Sequence, residues 1–435
     1  MWSYHPDLLA TPVPRYTSYP TAVEFGDHVG AEDYAAALDR IASATPVSLY
    51  VHIPFCEQIC WYCGCNTGAA NRTQRLADYL TALRSEIAMV ARRVGGRARV
   101  QRIAFGGGSP NAIAPIDFVR LLDRILTVFD VSDPEISIEI DPRGFSADWA
   151  RVLAASSVKR VSLGVQTFSP QIQKAIGRIQ PLTDIENAVA SLRLRGIDAI
   201  NFDLMYGLPG QSLADLETTL DETMRLAPSR VALFGYAHLP AMIPRQRRID
   251  ARDLPDHKLR FEQAALGFER LTRAGYIPVG FDHFALPDDP LAIAAKQGQV
   301  NRNFQGFTDD NAPILLGFGA SAISKFPDLI VQNEKRAGPY RDLIGGGRLA
   351  AARGAIIDAN ECERGAIIRD LLCSGRARIG AAMKAAAQSA TAKFEDRGLI
   401  RWEDEHLVIP DCARPYARHV ASQFDRIRGK PAISA

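Results

Sequence analysis

Between residues 47 and 285, short runs of aliphatic and β-branched residues alternate with longer stretches whose apolar positions recur every three or four residues. The runs VSLYVHI (47–53), VQRIAF (100–105), EISIEI (135–140), VKRVSLG (158–164), AINFDLM (199–205), RVALFGY (230–236) and YIPVGF (276–281) have the length and branching of strands. Between them, LADYLTALRSEIAMVARR (76–93), DFVRLLDRILTVF (117–129), TDIENAVASLRLRG (183–196) and HKLRFEQAALGFERLTRAG (257–275) carry the period of amphipathic helices. Strand–helix units of this size predict an α/β fold with a parallel sheet and crossover helices. Six or seven such units suit a parallel (β/α) barrel, partial or complete, better than an open sheet.

The flanks break the rhythm. Residues 1–45 read as a Pro- and Tyr-containing arm followed by the helix AEDYAAALDRIASA. The barrel domain with its extensions is expected over 46–345. Residues 346–435 then read as a smaller α-rich, winged-helix-like domain, in which GAAMKAAAQSATAKFEDRG (380–398) precedes the hairpin-like LIRWEDEHLVI (399–409).

Composition narrows the function. Of 435 residues 47% are hydrophobic and the formal net charge is +2, which speaks against a dedicated nucleic-acid binder. No apolar run reaches the roughly 18–20 residues of a membrane span. The opening MWSYHPDLLATPVPRYTSYP is not patterned as a secretory signal, so a cytoplasmic protein is expected.

Four of the seven cysteines crowd into HIPFCEQICWYCGCN (52–66), directly behind the first strand. Cys362, Cys373 and Cys412 lie far away, unlike the spread of a disulfide framework. Cys373 in IIRDLLC, and Cys412, suit buried small hydrophobes. Cys56, Cys60 and Cys63 are spaced C-x3-C-x2-C and can converge on one metal centre. Structural zinc usually takes four protein ligands as two separated pairs, and no second pair follows. Thiolates are the ligands of iron–sulfur clusters, and a cubane held by three of them keeps one iron open.

C-x3-C-x2-C after a first barrel strand resembles the radical S-adenosylmethionine (SAM) superfamily. More narrowly, SLYVHIPFCEQICWYCGCN is similar to the oxygen-independent coproporphyrinogen III oxidases (coproporphyrinogen dehydrogenases). The likeness continues in order through PRYTSYPTA (14–22), FGGGSPN (105–111), EISIEIDPR (135–143), SLGVQTF (162–168), FDLMYGLPGQ (202–211), YAHLP (236–240), GFDHFALPDD (280–289), RNFQGFT (302–308) and LGFGASAIS (316–324). It covers about residues 10–340 well. The RYTSYPT arm and the CGC ending separate the chain from haem-chaperone relatives.

The resemblance implies a barrel of the radical SAM type and a 4Fe–4S cluster on Cys56, Cys60 and Cys63. Cys65 is by resemblance not a ligand, although the residues alone leave its role open. It implies that Tyr50, Gly106, Glu139 and Ile323 help hold one SAM. A second SAM would meet Tyr62, Gly107, Gly108, Gln166, Arg178, Asp203 and Ala237. Taken singly, the glycines read as a turn, and Glu139, Gln166, Arg178 and Asp203 as strand-end residues in salt bridges or satisfied hydrogen bonds. Arg178 nevertheless suits a carboxylate through paired charge-assisted hydrogen bonds, and Glu139 and Asp203 suit ribose hydroxyls. Ser109 and Met205 stand where relatives have Thr and Ile, changes that keep the hydroxyl and the volume.

The implied reaction is oxidative decarboxylation of coproporphyrinogen III to protoporphyrinogen IX in haem synthesis. A 5′-deoxyadenosyl radical takes a β-hydrogen from a propionate, and CO2 and one electron then leave. No single side chain stands out as a catalytic residue. Four propionates call for cations at the pocket rim, with Arg15, PRQRR (244–248) and Arg302 as candidates, and His52, His238 and His283 as polar groups. The partners implied are the tetrapyrrole substrate and an unnamed electron donor and acceptor, around a monomeric enzyme. NECERGAIIRDLLCSGRARI (360–379) departs from the family pattern, which keeps a paralogue for another tetrapyrrole, or a haem carrier, as the alternative. A non-catalytic protein with structural zinc or an electron-transfer cluster is a second one.

Overall fold

The computed structural model describes residues 2–70 and 73–426. One sheet of twelve strands organises the chain. Its strands are β1 (Thr45–Ile53), β2 (Ala98–Gly107), β3 (Asp130–Ile140), β4 (Val158–Gln166), β5 (Ala199–Tyr206), β6 (Arg230–Gly235), β7 (Ile277–Val279), β8 (His283–Ala285), β9 (Ile314–Phe318), β10 (Ile323–Lys325), β11 (Leu329–Asn333) and β12 (Ala351–Ile356). They lie side by side as β12-β11-β10-β9-β1-β2-β3-β4-β5-β6-β8-β7. Strands β9 and β1 to β6 are mutually parallel. The two edge strands do not pair with each other, so the barrel is partial.

The crossovers are helices α1 (Thr73–Val94), α2 (Pro115–Val128), α3 (Ala147–Ala155), α4 (Leu182–Arg193), α5 (Leu213–Leu226) and α6 (His257–Arg273). Strand alternation explains which face is which. Val47, Leu49, Val51 and Ile53 of β1, Ile136, Ile138 and Ile140 of β3, and Val161, Leu163 and Val165 of β4 point outward into the main core. There they meet Leu83, Ile87 and Val90 of α1 and Phe118, Leu121 and Ile125 of α2. Each such buried side chain contributes about 1.5–3 kcal/mol. The intervening Ser48, Ser137, Glu139, Ser162, Asn201 and Asp203 face inward and line a cavity inside the barrel. Polar residues every second position therefore make a lumen able to take a ligand.

The run YIPVGF does not extend the parallel series. Only Ile277–Val279 is strand, and it pairs antiparallel with β8, which pairs antiparallel with β6. Gly280 takes φ +58° and lets the chain reverse there. The seventh parallel strand is instead β9, on the far side of β1.

Past β12, helices α7 (Ala359–Ser374) and α8 (Ala381–Glu395) pack on a three-stranded sheet of Arg376–Arg378, His406–Val408 and Arg401–Glu403. Their core includes Ile367, Leu371, Phe394, Leu407 and Tyr416, together with Leu8, Tyr16 and Tyr19 of the N-terminal arm. The arm is fastened by Tyr16, whose hydroxyl donates to Asp425 at 2.8 Å. This places arm residues 14–22 over the open end of the barrel.

Candidate active site

The cysteine loop leaves β1 through Pro54 and is closed by two short segments, Phe55–Cys56 and Gly68–Ala69, which pair in parallel. Three further bonds pin it: Trp61 N to Ile176 O (3.0 Å), Ala70 N to Cys56 O (2.9 Å), and Gln246 Nε2 to the Tyr62 carbonyl (2.8 Å). Cys60 is buried, Cys56 and Cys63 half-buried, and Cys65 exposed. All four ring one cavity of about 290 Å³. Among the described residues, no three Cys, His, Asp or Glu side chains are gathered about a single point, as a mononuclear ion requires.

The thiols sit in a field that a metal cluster would complete. Burial and the neighbouring sulfurs of Cys63 and Cys60 push the Cys56 thiol up to about 12. The hydrogen bond between Cys63 and Cys65 pulls the first thiol down and pushes the second up. Cys60 Sγ accepts from Arg178 Nη1 (3.3 Å) and Arg143 Nη2 (3.4 Å). Crowded thiols resist ionising together, and a cationic iron centre reverses that resistance. The three sulfurs of Cys56, Cys60 and Cys63 in this loop fit a 4Fe–4S cluster with one open iron, with Cys65 bordering the same cavity.

Two observations fit SAM. At the exit of β2, a Cβ on Gly106 would lie 2.6 Å from Glu139 Oε1, and one on Gly108 would lie 2.6 Å from the Phe55 carbonyl. Gly107, at φ +120°, donates its N–H to Glu139 Oε2 at 3.3 Å. Only glycine fits here against the Glu139 carboxylate, the His52 ring and the Phe55 backbone, which brings this turn close to the cysteine loop. Second, Arg178 is buried and bonded to Asp141 (3.1 and 3.2 Å), yet its Nε has no partner. Burial and repulsion from Asp203 push Glu139 up to about 7. Burial also raises Asp203, although Ser162 and Asn201 donate to it at 2.9 Å each. An unpaired donor beside two buried carboxylates describes a pocket that suits a zwitterion carrying hydroxyls.

The SAM positions named from the sequence, Gly106 apart, line two adjoining cavities. The cysteine cavity is also lined by Tyr62, Gly107, Gly108, Glu139, Gln166, Arg178, Asp203 and Ala237. A second cavity of about 510 Å³, under the arm, is lined by Tyr50, Glu139 and Ile323. Gly107, Glu139 and Cys65 border both. Gly106 abuts Glu139, and Gln166 holds the left-handed backbone, φ +66°.

Other candidates divide. Arg15 borders both cavities, and of residues 244–248 only Pro244 and Arg245 border the second. Arg302 lies outside both: its guanidinium stacks on Phe281 (4.8 Å) and Phe307 (4.3 Å) and donates to the Tyr16 and Arg15 carbonyls. It clamps the arm. His52 bonds Tyr50 Oη (3.1 Å) and Ser321 Oγ (3.4 Å), and burial pushes it down to about 4. His238 pairs with Tyr236 Oη and His283 with Asp282. Cys373 is half-buried against the C-terminal core, but Cys412 is exposed, because the turn at Asp411–Tyr416 buries Ala413 and Tyr416 instead. Sequence reasoning missed Asp141, Arg143 and Gln246. The first two stand inside EISIEIDPR; nothing in PRQRR singles out its glutamine.

Comparison with known proteins agrees with this geometry. The model of the radical SAM superfamily matches residues 50–223, which span the cysteine loop, the glycine turn and Arg178. Fold and site together define a radical SAM protein. The oxygen-independent coproporphyrinogen III oxidase of Bradyrhizobium diazoefficiens is 42% identical over 95% of this chain and 94% of its own. That of Pseudomonas aeruginosa is 38% identical over 95% and 93%. The solved coproporphyrinogen III oxidase HemN from Escherichia coli, described as a radical SAM enzyme, superposes with a TM-score of 0.91 at 34% identity, over 98% of this chain and 99% of that one. The chain belongs to the family of oxygen-independent coproporphyrinogen III oxidases. The structural match includes the C-terminal region whose sequence departs from the family pattern.

Proposed function

We propose that this chain converts coproporphyrinogen III to protoporphyrinogen IX without oxygen, within haem synthesis. The carrying observation is the union of a three-thiol loop, a glycine cradle and an arginine with a free buried donor at one barrel mouth. A 4Fe–4S cluster with bound SAM supplies a carbon-centred radical able to take a hydrogen atom from an unactivated carbon.

The residues of the chain do the rest. Cys56, Cys60 and Cys63 would hold the cluster, and Arg143 and Arg178 steady the sulfur of Cys60. Tyr50, Gly106, Glu139 and Ile323 form the reading for one SAM. Tyr62, Gly107, Gly108, Gln166, Arg178, Asp203 and Ala237 form that for a second. The free Nε of Arg178 is available to a methionine carboxylate, and Glu139 and Asp203 to ribose hydroxyls. Tyr50, held edge-to-face on Phe304 at 4.5 Å, gives the second cavity a flat apolar wall. Arm residues form one wall of that cavity. At each of two propionates a β-hydrogen, CO2 and one electron leave and a vinyl group remains.

No helix among the described residues is long and apolar enough to cross a membrane. We read the protein as a cytoplasmic monomer fed by a separate electron donor and acceptor. We divide it into an arm (1–45), a barrel unit (46–345) and a C-terminal unit (346–435), with β12 adding to the barrel's sheet. Anaerobic incubation of reconstituted protein with dithionite, SAM and coproporphyrinogen III, followed by chromatography of the oxidised porphyrins, tests the reading. Formation of protoporphyrin supports it; SAM cleavage with unchanged coproporphyrin refutes it.

A further inference from the structure

The cavity under the arm carries three cations, Arg15, Arg245 and Lys335, and a single acid, Glu139. None of the three cations is ion-paired among the described residues. Arg15 donates to the Gly235 carbonyl (2.6 Å), and Arg245 donates to Thr67 Oγ1 (2.7 Å). The neighbouring acid of Lys335, Glu334, is turned to Arg336, accepting from its N–H (2.9 Å) and its Nε (3.4 Å). The Lys335 ammonium has no hydrogen-bond partner among the described residues, and burial with repulsion from Arg353 lowers its pKa. The backbone of Lys335 is nonetheless fixed: its carbonyl accepts from Asn66 Nδ2 at 2.7 Å, three positions past Cys63. The backbone that carries this free ammonium is thus tied to the cysteine loop. The charge balance of the cavity calls for carboxylates.

We infer that Lys335, in the same open cavity as the Tyr50, Glu139 and Ile323 positions read for one SAM, is a specificity residue that anchors one non-reacting propionate of the tetrapyrrole beside that SAM and so sets its register against the cluster loop. The inference rests on the functional reading above. Arg245 and Arg15, on other walls of the cavity, take further propionates. Asn66 transmits the register, because it ties Lys335 to the loop that positions the reacting centre. An anchor of this kind acts equally before and during the reaction, so its loss raises KM more than it lowers kcat.

The test compares holoenzyme carrying Lys335→Met, Lys335→Arg or, as a surface control, Arg336→Met. Binding of coproporphyrin III and of its uncharged tetramethyl ester is measured by anaerobic fluorescence titration, beside turnover of coproporphyrinogen III. Lys335→Met should weaken coproporphyrin III binding about tenfold, the usual scale for one charge-assisted hydrogen bond. Lys335→Arg should stay within about threefold, the ester should be indifferent to either change, and Arg336→Met should match the parent. Binding of coproporphyrin III by Lys335→Met within about twofold of the parent, or equal loss for acid and ester, overturns the anchor. A parent protein that binds through Lys335 yet forms no protoporphyrinogen overturns the functional reading and leaves the anchor standing.

Discussion

Replacing Gln246 by leucine isolates a contact on which the cysteine loop depends. Gln246 is 1% exposed and links three backbone groups on two loops. Its Nε2 donates to the Tyr62 carbonyl (2.8 Å) and the Ala237 carbonyl (3.1 Å), and its Oε1 accepts from Leu239 N (2.5 Å). Each such bond is worth about 1 kcal/mol net, and a buried group left unpaired costs about 1–3 kcal/mol. Gln246→Leu should therefore destabilise by about 3 kcal/mol at least. The loss falls where Tyr62 stands between Cys60 and Cys63. Gln246→Glu should fare no better, because its carboxylate keeps the bond from Leu239 but faces two carbonyls. Urea unfolding reads the global cost, and iron per chain after anaerobic purification reads the local one. Both variants should lose stability and retain less than about half of the parent's iron, on the scale of the bonds lost. Parent-like unfolding and iron in both would refute the reasoning.

Three further outcomes follow from the geometry. Arg178→Lys cannot reach Cys60, Asp141 and Gly164 with one ammonium. Losing the fork should cost about 3 kcal/mol and abolish saturable SAM binding in calorimetric titration; parent-like binding would contradict it. Gly106→Ala drives a methyl group against Glu139, so SAM affinity by equilibrium dialysis should fall about tenfold with iron content unchanged. Burial and Arg418 push His419 down to about 4 from an ordinary 6.5, so the unfolded chain takes up a proton where the native one does not. Stability from this residue is complete above pH 6.5 and lost as pH falls towards 4. The drop is about 3 kcal/mol, and His419→Leu should flatten denaturation midpoints across that window.

The sequence exposed the barrel where strands are covered on both faces. Seven consecutive buried residues in β1, and apolar residues alternating with Ser, Glu and Asp in β3 to β5, carry both the strand period and the polar lumen. It misdirected at YIPVGF, because a β-branched run says nothing about direction, and the reversal at Gly280 is a tertiary event. The thiol loop was legible from spacing alone. Most of the ligand positions were legible only through resemblance, since Glu139 or Asp203 in isolation looks like any strand-end carboxylate. Gln246 and Lys335 were invisible. One acts on backbone groups far along the chain, and the other matters because Glu334 turns away from it.

The central claim is that Cys56, Cys60 and Cys63 hold an iron–sulfur cubane with one iron left open to SAM. Mössbauer spectroscopy of iron-57-labelled protein, prepared without oxygen and read with and without SAM, tests it most directly. The account predicts a 4Fe–4S spectrum in which SAM shifts one iron site of the four, and loss of that spectrum in Cys60→Ala. A spectrum indifferent to SAM, or a cluster that survives Cys60→Ala unchanged, would contradict it.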